Sequence, residues 1–290
     1  MADEWDHQLA PAKLTVSLRV TGVRADGLHL LDAEMVSLDL ADELWFAPGD
    51  SLEVIRGPGV GDVPAGEENL VCRALRAVGR TAAVRLAKRI PPGGGLGGGS
   101  ADAAAVLRWA WGLGAGVTGP VAPTSGSVAP TSGSAAPTSG SAARPDLALA
   151  ATLGADVPFC VVGGRALVRG VGEQVEPLPP KERAFLLLMP PFGVSTARVY
   201  AAWDELGGPT VDGPNDLEPA ALVVAPRLAA WRDALGEATG LQPVLAGSGS
   251  TWFVECEGHM VGHEPLSVAG EVGRLERVRT GPATATPSVS

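Results

Sequence analysis

The chain has 290 residues, of which 46% are apolar and 19% are charged, so it can bury a sizeable core and differs from disordered proteins. Its formal net charge of −10 argues against binding nucleic acid over a broad surface, because neutralising phosphates supplies most of that affinity. The length predicts two domains or one large one. We therefore expect a folded protein with no nucleic-acid partner, in which any nucleotide binds in a local pocket.

Periodic patterns predict strands and helices along the chain. Strict alternation over 12–20 predicts a half-buried strand with a polar face that includes Lys13 and Thr15. Further strands are predicted at 34–40, 51–56, 83–90, 184–189, 251–256 and near 276–280. Helices are predicted through 70–78, past Gly99 with Ser100 and Asp102 in the first turn, at 146–153, near 195–206 and near 226–238. Because these elements mix without regular βαβ alternation, the predicted fold class is α+β.

The cysteines and the apolar segments indicate the cellular compartment. Cys72, Cys160 and Cys256 are far apart and odd in number, which is typical of a reducing compartment and not of a disulfide framework. The N-terminal segment is acidic and lacks the apolar stretch of a signal peptide. No run reaches the roughly 18 to 20 apolar residues of a membrane span. These features predict a cytoplasmic protein without a membrane partner.

A repeated segment interrupts the globular pattern. Ala-Pro-Thr-Ser-Gly-Ser occurs at 122–127, 129–134 and 136–141. It contains no large side chain, so it cannot bury enough surface to offset the entropy of ordering it. We interpret about 117–144 as a disordered insertion.

Deleting residues 121–142 and joining the ends with a short linker is expected to leave activity and melting temperature nearly unchanged, because the repeats offer no apolar surface to the fold. Calorimetry and a kinetic assay of the shortened chain test this expectation. A melting temperature lower by several degrees would show that the segment packs on the fold.

Residues 91–101, Pro-Pro-Gly-Gly-Gly-Leu-Gly-Gly-Gly-Ser-Ala, lead directly into a predicted helix. Glycines before a helix N-terminus let the backbone approach an anion, with free N–H groups and the positive end of the helix dipole directed at it. No lysine follows, which excludes a Walker A loop, and the dinucleotide pattern lacks its acidic residue about 20 positions later. The sequence therefore predicts a phosphate-binding loop, with a flexible hinge as the alternative.

The pattern Pro-x-x-x-Gly-Leu-Gly, followed by small residues and serine, resembles that of the GHMP small-molecule kinases. Residues 93–107 are similar to the loop of the 4-diphosphocytidyl-2-C-methyl-D-erythritol kinases, particularly their actinobacterial forms. Other blocks resemble that family in the same order, at 11–14, 24–29, 69–70, 153–159, 163–164, 170–173, 194–196, 215–218 and 247–251. The resemblance covers nearly the whole chain apart from the repeats and the last residues.

The resemblance implies a two-domain GHMP-kinase fold of the α+β class. The active site would lie in the cleft between an ATP-binding domain at 1–175 and a second domain at 176–290. The implied activity is ATP-dependent phosphorylation of the 2-hydroxyl of 4-(cytidine 5′-diphospho)-2-C-methyl-D-erythritol, in the non-mevalonate route to isoprenoid precursors. ATP and Mg²⁺ are the implied cofactors, the partner is a small-molecule substrate, and the chain is expected to be a monomer or a weak homodimer.

The resemblance also implies catalytic and ATP-binding residues. Asp156 is the implied catalytic base, and Lys13 its partner that orients the acceptor hydroxyl and stabilises charge. Without the resemblance, a turn residue and a solvated strand residue are the alternatives. Ser100 is expected to contact phosphate or magnesium, with an N-cap role as the alternative. The implied ATP-binding residues are Pro91, Pro92, Gly93, Gly94, Gly95, Leu96, Gly97, Gly98, Gly99, Ser100 and Ala101.

Four residues are implied to bind the acceptor substrate. His29 is placed at the cytosine edge, Tyr200 against the ring and Thr196 at the erythritol part, with a core position in its helix as the alternative for Tyr200. Thr15 stands where the family has asparagine, and Leu28 where it has tyrosine, so one amide and one stacking ring are missing. These departures bear on substrate affinity more than on phosphoryl transfer.

Other functions remain as alternatives. Another GHMP kinase, of the mevalonate or homoserine type, is disfavoured by His29 and by the block at 155–159. A catalytically weakened nucleotide-binding homologue is disfavoured because the implied catalytic residues are present. Zinc binding by Cys256, His259 and His263 is disfavoured because two intervening glycines argue against a helix there.

Overall fold

The computed structural model describes residues 5–57, 63–112, 145–256 and 265–281. The predicted insertion at 117–144 and the histidines at 259 and 263 lie outside the described residues. The strands are β1 (Asp6–Val23), β2 (His29–Ala47), β3 (Ser51–Arg56), β4 (Ala83–Lys88), β5 (Arg165–Gly170), β6 (Gln174–Pro177), β7 (Ala184–Met189), β8 (Val244–Leu245), β9 (Trp252–Glu255), β10 (Ser267–Val268), β11 (Glu271–Val272) and β12 (Arg274–Arg279). The helices are α1 (Leu70–Ala77), α2 (Gly98–Ala110), α3 (Leu147–Leu153), α4 (Val157–Val162), α5 (Thr196–Glu205), α6 (Glu218–Val224) and α7 (Leu228–Thr239).

The larger sheet is built around a long antiparallel hairpin of β1 and β2. Its strand order is β3-β4-β2-β5-β6, with β1 also paired to β2. The hairpin register shifts at three places, one of them between Pro11 and Lys13, and such irregularities redirect side chains. Strands β3 and β4 are parallel and are connected through α1, whereas the other pairs in this sheet are antiparallel.

The smaller sheet has the order β12-β7-β9-β8 and is antiparallel. A main-chain bridge joins Leu18 of β1 to Asn215, which precedes α6. Asp216 is fully buried and accepts hydrogen bonds from Arg19 and from the backbone of Val20. These contacts attach the second half of the chain directly to β1. The domain division at residue 175 stays a prediction.

Within the described ranges, the buried apolar side chains form two clusters. One lies between the hairpin and the smaller sheet and includes Leu14, Leu38, Phe185 and Phe253. The larger cluster surrounds α2, whose alanine-rich sequence leaves it apolar on almost every side. A helix that is apolar all round belongs inside a protein, and burial of α2 holds the glycine segment before it against the sheet. None of the helices in the described ranges is long and apolar enough to span a membrane.

The observed elements confirm most of the predicted ones and correct four points. Strand β1 extends well beyond 12–20, and its predicted polar face is covered at Lys13 and Thr15, which are 6% and 2% exposed, whereas the Arg19 side chain is 42% exposed. The first turn of α2 contains no acidic residue, since α2 starts at Gly98 and places Asp102 in its second turn. The N-cap of α2 is Gly97, so the alternative N-cap role of Ser100 is wrong. Four elements of the middle of the chain were not predicted, namely α4, β5, β6 and α6.

Candidate active site

The glycine segment forms a compact loop that ends at the N-terminus of α2. Gly93, Gly95 and Gly97 all have positive φ, at 70°, 77° and 67°, a region that favours glycine. A side chain at Gly95 is also excluded by contact, because its Cβ would lie 2.3 Å from the Ala246 carbonyl oxygen. Gly97 caps α2 without a side-chain hydrogen bond. The first-turn N–H groups of α2 are therefore available to an anion.

Two other segments pack against this loop. The Thr251 N–H donates to the Gly94 carbonyl at 3.2 Å, and the Val194 N–H donates to the Gly93 carbonyl at 3.2 Å. Buried Asn215 donates from Nδ2 to the Leu245 and Gly247 carbonyls, at 2.9 and 2.7 Å. The segment at 247–251, one of the blocks that resemble the family, forms a turn that thus lies beside the glycine loop and is held there from two sides.

Lys13 and Asp156 come together beside the loop. Lys13 Nζ lies 3.2 Å from Asp156 Oδ2 and donates to Thr15 Oγ1 at 3.1 Å. The lysine side chain is 7% exposed and the aspartate 30% exposed, so the carboxylate is the member of the pair that a second molecule can reach. The alternative of a solvated strand lysine is wrong. Gly97 passes directly over the lysine stem, since its Cβ would lie 2.7 Å from Lys13 Cγ.

The start of α2 faces the segment that carries Asp156. Asp156 immediately precedes α4 and follows Gly154, whose Cβ would lie 3.9 Å from Ser100 Oγ. The Ser100 hydroxyl, at the third residue of α2, is therefore close to the turn between α3 and α4. Leu96 and Ala101 are 1% exposed as whole residues and belong to the core, so their side chains do not face a ligand.

A second group of side chains surrounds His29 at the start of β2. Its ring lies 4.5 Å from that of Tyr200, with an interplanar angle of 30°, and the Trp203 ring meets it edge-on at 5.5 Å. His29 Nε2 donates to Asp204 Oδ1 at 2.8 Å, because an ionised carboxylate only accepts. Burial raises the pKa of the Tyr200 hydroxyl, and the negative charge of Asp156 adds to the rise. The ring cluster around His29 is therefore close enough to the Lys13–Asp156 pair for the charge of Asp156 to act on Tyr200.

Sequence reasoning identified His29 and Tyr200 but missed Trp203 and Asp204. Both follow Tyr200 at the three- and four-residue spacing that puts side chains on one face of a helix, and this spacing within the predicted helix was a usable signal. Thr196, four residues before Tyr200, places its Oγ1 2.8 Å from Ser248 Oγ. One face of α5 thus connects the ring cluster to the turn at 247–251.

Comparison with known proteins assigns these motifs to a family. Residues 69–117 match the GHMP kinases N terminal domain. The 4-diphosphocytidyl-2-C-methyl-D-erythritol kinase of Paracoccus denitrificans (strain Pd 1222) is 36% identical over 265 residues, with 85% of each chain covered. This chain belongs to the 4-diphosphocytidyl-2-C-methyl-D-erythritol kinase family. The 4-diphosphocytidyl-2-C-methyl-D-erythritol kinase of Ruegeria pomeroyi (strain ATCC 700808 / DSM 15171 / DSS-3) is 35% identical to this chain, with 92% of this chain and 93% of the other covered.

A solved structure supports the same family. A crystal structure of 4-(cytidine 5′-diphospho)-2C-methyl-D-erythritol kinase is 34% identical to this chain and superposes with a TM-score of 0.63, covering 87% of this chain and 91% of the other. The predicted GHMP-kinase fold of the α+β class is confirmed. In this member of the 4-diphosphocytidyl-2-C-methyl-D-erythritol kinase family, Thr15 Oγ1 accepts a hydrogen bond from Lys13 Nζ. Leu28, which precedes His29, is 48% exposed.

Proposed function

We propose that this chain transfers the γ-phosphoryl group of ATP to the 2-hydroxyl of 4-(cytidine 5′-diphospho)-2-C-methyl-D-erythritol, in the non-mevalonate route to isoprenoid precursors. The observation that carries the proposal is the pairing of Lys13 with Asp156 beside a glycine loop at a helix N-terminus. Phosphoryl transfer needs positioning and charge stabilisation more than covalent chemistry by the protein. The names of the relatives at 35 to 36% identity support the substrate.

In the proposed reaction Asp156 is the base. The oxygen of the acceptor hydroxyl bonds to the γ-phosphorus, its proton passes to an Asp156 carboxylate oxygen, and the bond to the β-phosphate oxygen breaks to release ADP. Lys13, at 3.2 Å from Asp156, fixes the carboxylate and places a positive charge where the phosphoryl group moves. The glycine loop from Pro91 to Gly97 and the start of α2 would hold the phosphates through backbone N–H groups.

Magnesium fits this site as an ion held mainly by the nucleotide. Mg²⁺ keeps several waters and takes one or two protein oxygens together with substrate phosphates. Among the described residues no group of three or more His, Cys, Asp or Glu side chains is arranged to hold a metal, whereas the Ser100 hydroxyl lies in the first turn of α2. Ser100 would hold the ion, which supplies positive charge to the β- and γ-phosphates when bound.

The cytidine part is assigned to the ring cluster. Asp204 accepts from His29 Nε2, so Nδ1 is the nitrogen left for the edge of the base. One face of Tyr200 is covered by His29, so stacking of cytosine on Tyr200 requires the other face or a separation of the two rings. Thr196, beside Ser248, is proposed to contact the remaining part of the substrate. Thr15 is 2% exposed and accepts from Lys13 Nζ, so it is proposed to act on the substrate through Lys13.

A coupled assay of ADP release tests this function. Purified protein with MgATP should release ADP with 4-(cytidine 5′-diphospho)-2-C-methyl-D-erythritol and not with mevalonate or homoserine. ADP release with mevalonate or homoserine alone would transfer the assignment to another GHMP kinase. ATP binding without turnover of any of the three would favour the weakened homologue.

Leu28→Tyr is expected to lower KM for the cytidine substrate roughly five- to tenfold, because a restored ring adds stacking of roughly 1 kcal/mol or a little more. Leu28 is 48% exposed, so the ring needs no repacking of the core. Tyr200→Ala should raise that KM, and KM for ATP should stay unchanged in both variants. Ile55→Tyr, at a position that is also 48% exposed, is the matched control. If KM for the cytidine substrate is unchanged in both Leu28→Tyr and Tyr200→Ala, cytosine does not bind at this ring cluster.

We further propose a cytoplasmic location and a monomer or weak homodimer. All three cysteines, Cys72, Cys160 and Cys256, are free, which supports a reducing compartment. Analytical ultracentrifugation over a range of concentrations measures the oligomeric state directly.

A further inference from the structure

A cluster of three buried charges lies beneath the glycine loop, outside the residues assigned above. Asp42 of β2, Lys88 of β4 and Asp102 of α2 are each 3% exposed or less at the side chain. Lys88 Nζ donates to Asp102 Oδ2 at 2.7 Å and also to Asp42 Oδ2. Removing charges from water is costly unless they are well paired. The burial of one ammonium group together with two carboxyl groups therefore indicates a specific role for this cluster.

The cluster connects the two ends of the glycine loop. Asp42 Oδ1 accepts from the backbone N–H groups of Arg89 and Ile90, at 2.5 and 2.9 Å, and these residues lead into Pro91. Asp102 lies on α2, into which the loop leads. The approach is close, because a Cβ at Gly98 would lie 3.2 Å from Lys88 Nζ. The entry and the exit of the loop are thus attached to the same ammonium group.

The Lys88 ammonium faces two buried carboxyl groups, and burial raises the pKa of Asp102 to about 7 despite the attraction of Lys88. Burial lowers the pKa of Lys88, but attraction to Asp102 and Asp42 outweighs it and the net pKa is raised, so the ammonium stays charged. Asp102 Oδ1 is buried without a hydrogen-bond partner, and Asp102 Oδ2 accepts from Lys88 Nζ at 2.7 Å. A loop made largely of glycine has little stiffness of its own, and its shape depends on how its ends are fixed.

We propose that Lys88 is a positioning residue that clamps the entry and exit of the glycine loop through Asp42 and Asp102, and that this clamp sets the affinity of the loop for a nucleotide phosphate chain. The proposal rests on the proposed function, since it takes the glycine loop as the ATP site. Lys88 does not touch the nucleotide in this role. Lys88 keeps the backbone N–H groups of the glycine loop directed at the position of the phosphate chain, so that phosphate binding does not have to order the loop.

Asp102→Ala tests the clamp, because it releases the exit of the loop and leaves Lys88 paired with Asp42. Alanine is the strongest helix former and is already the commonest residue of α2, so the variant should fold. We expect its dissociation constant for a non-hydrolysable MgATP analogue, measured by calorimetry, to rise about tenfold or more, the factor that corresponds to a charge-assisted hydrogen bond. KM for ATP should rise in parallel, and KM for the cytidine substrate should stay within about twofold.

Two controls separate positioning from general stability. Asp102→Asn keeps an oxygen acceptor for Lys88 and should restore most of the lost affinity. Leu107 is fully buried and lies more than two turns from the loop on the same helix. Leu107→Ala should lower the melting temperature, but analogue binding measured well below that temperature should not change. The proposal is overturned if Asp102→Ala lowers the melting temperature but binds the analogue like the wild type, or if Leu107→Ala weakens binding equally. Failure of the wild type to bind the analogue would refute the proposed function instead.

Discussion

Asp156→Asn is expected to lower kcat by about 10²- to 10⁴-fold, the usual contribution of a general base. Asparagine has nearly the size of aspartate and retains an oxygen that can accept from Lys13, which lies 3.2 Å from the carboxylate. It cannot take up the proton of the acceptor hydroxyl. The loss should therefore be in turnover and not in folding or ATP affinity, and steady-state kinetics with calorimetric binding of a non-hydrolysable analogue separates these quantities.

Asp233→Asn is the matched control for Asp156→Asn. Asp233 is an exposed aspartate on α7, and its side chain is 58% exposed. The same change there should leave kcat within about twofold, as surface substitutions usually do. Turnover of Asp156→Asn close to that of the wild type would remove Asp156 from the role of base.

Gly95→Ala is expected to raise KM for ATP about tenfold or more, which corresponds to at least about 1.4 kcal/mol, and to lower stability as well. Two effects add at this position. Gly95 has φ +77°, a conformation that costs an L-residue roughly 1 to 2 kcal/mol. Its Cβ would also lie 2.3 Å from the Ala246 carbonyl oxygen and 2.9 Å from that of Gly249. Both contacts are with backbone atoms, so the glycine loop has to move. Its N–H groups then no longer point at the phosphate chain.

Gly79→Ala separates the two effects. Gly79 has φ +63° and nothing within 4 Å of its Cβ position, so alanine there carries only the conformational cost. Differential scanning calorimetry should show a moderate loss of stability for Gly79→Ala with unchanged KM for ATP, and a larger loss for Gly95→Ala. Equal melting temperatures and wild-type KM values in the two variants would contradict the account of the glycine loop as a rigid, close-packed cradle.

Elements whose signal is local were predictable from the sequence. Strands β3 and β7 have the predicted bounds, and α2 begins within two residues of its expected position, because their periodicity and their glycine boundary are properties of a short window. Helix α4 was missed for the same physical reason, since a continuous apolar run of six residues fits a buried strand or a buried helix equally. Its state is set by the packing around it.

The sequence by itself determined the composition of the site. It contained the glycine loop, the lysine in the first strand and the aspartate within an apolar run, and the resemblance carried by these blocks was enough to assign the family. A glycine-rich segment before a helix has the same consequence for anions in any fold, because positive φ and free N–H groups are backbone properties. This part of the function could be inferred without coordinates.

Only the tertiary structure decided which side chains meet. The burial of Lys13 and its pairing with Asp156, the contact of His29 with Asp204, and the joining of Asp42, Lys88 and Asp102 link residues from 14 to 175 positions apart. Periodicity describes only neighbours within a turn or a strand, so it placed Lys13 on the polar face of a strand and Asp102 in the first turn of a helix. Long-range packing reversed both interpretations, because charged groups that lose water when a strand face is covered or a helix is buried are tolerated only when they are paired.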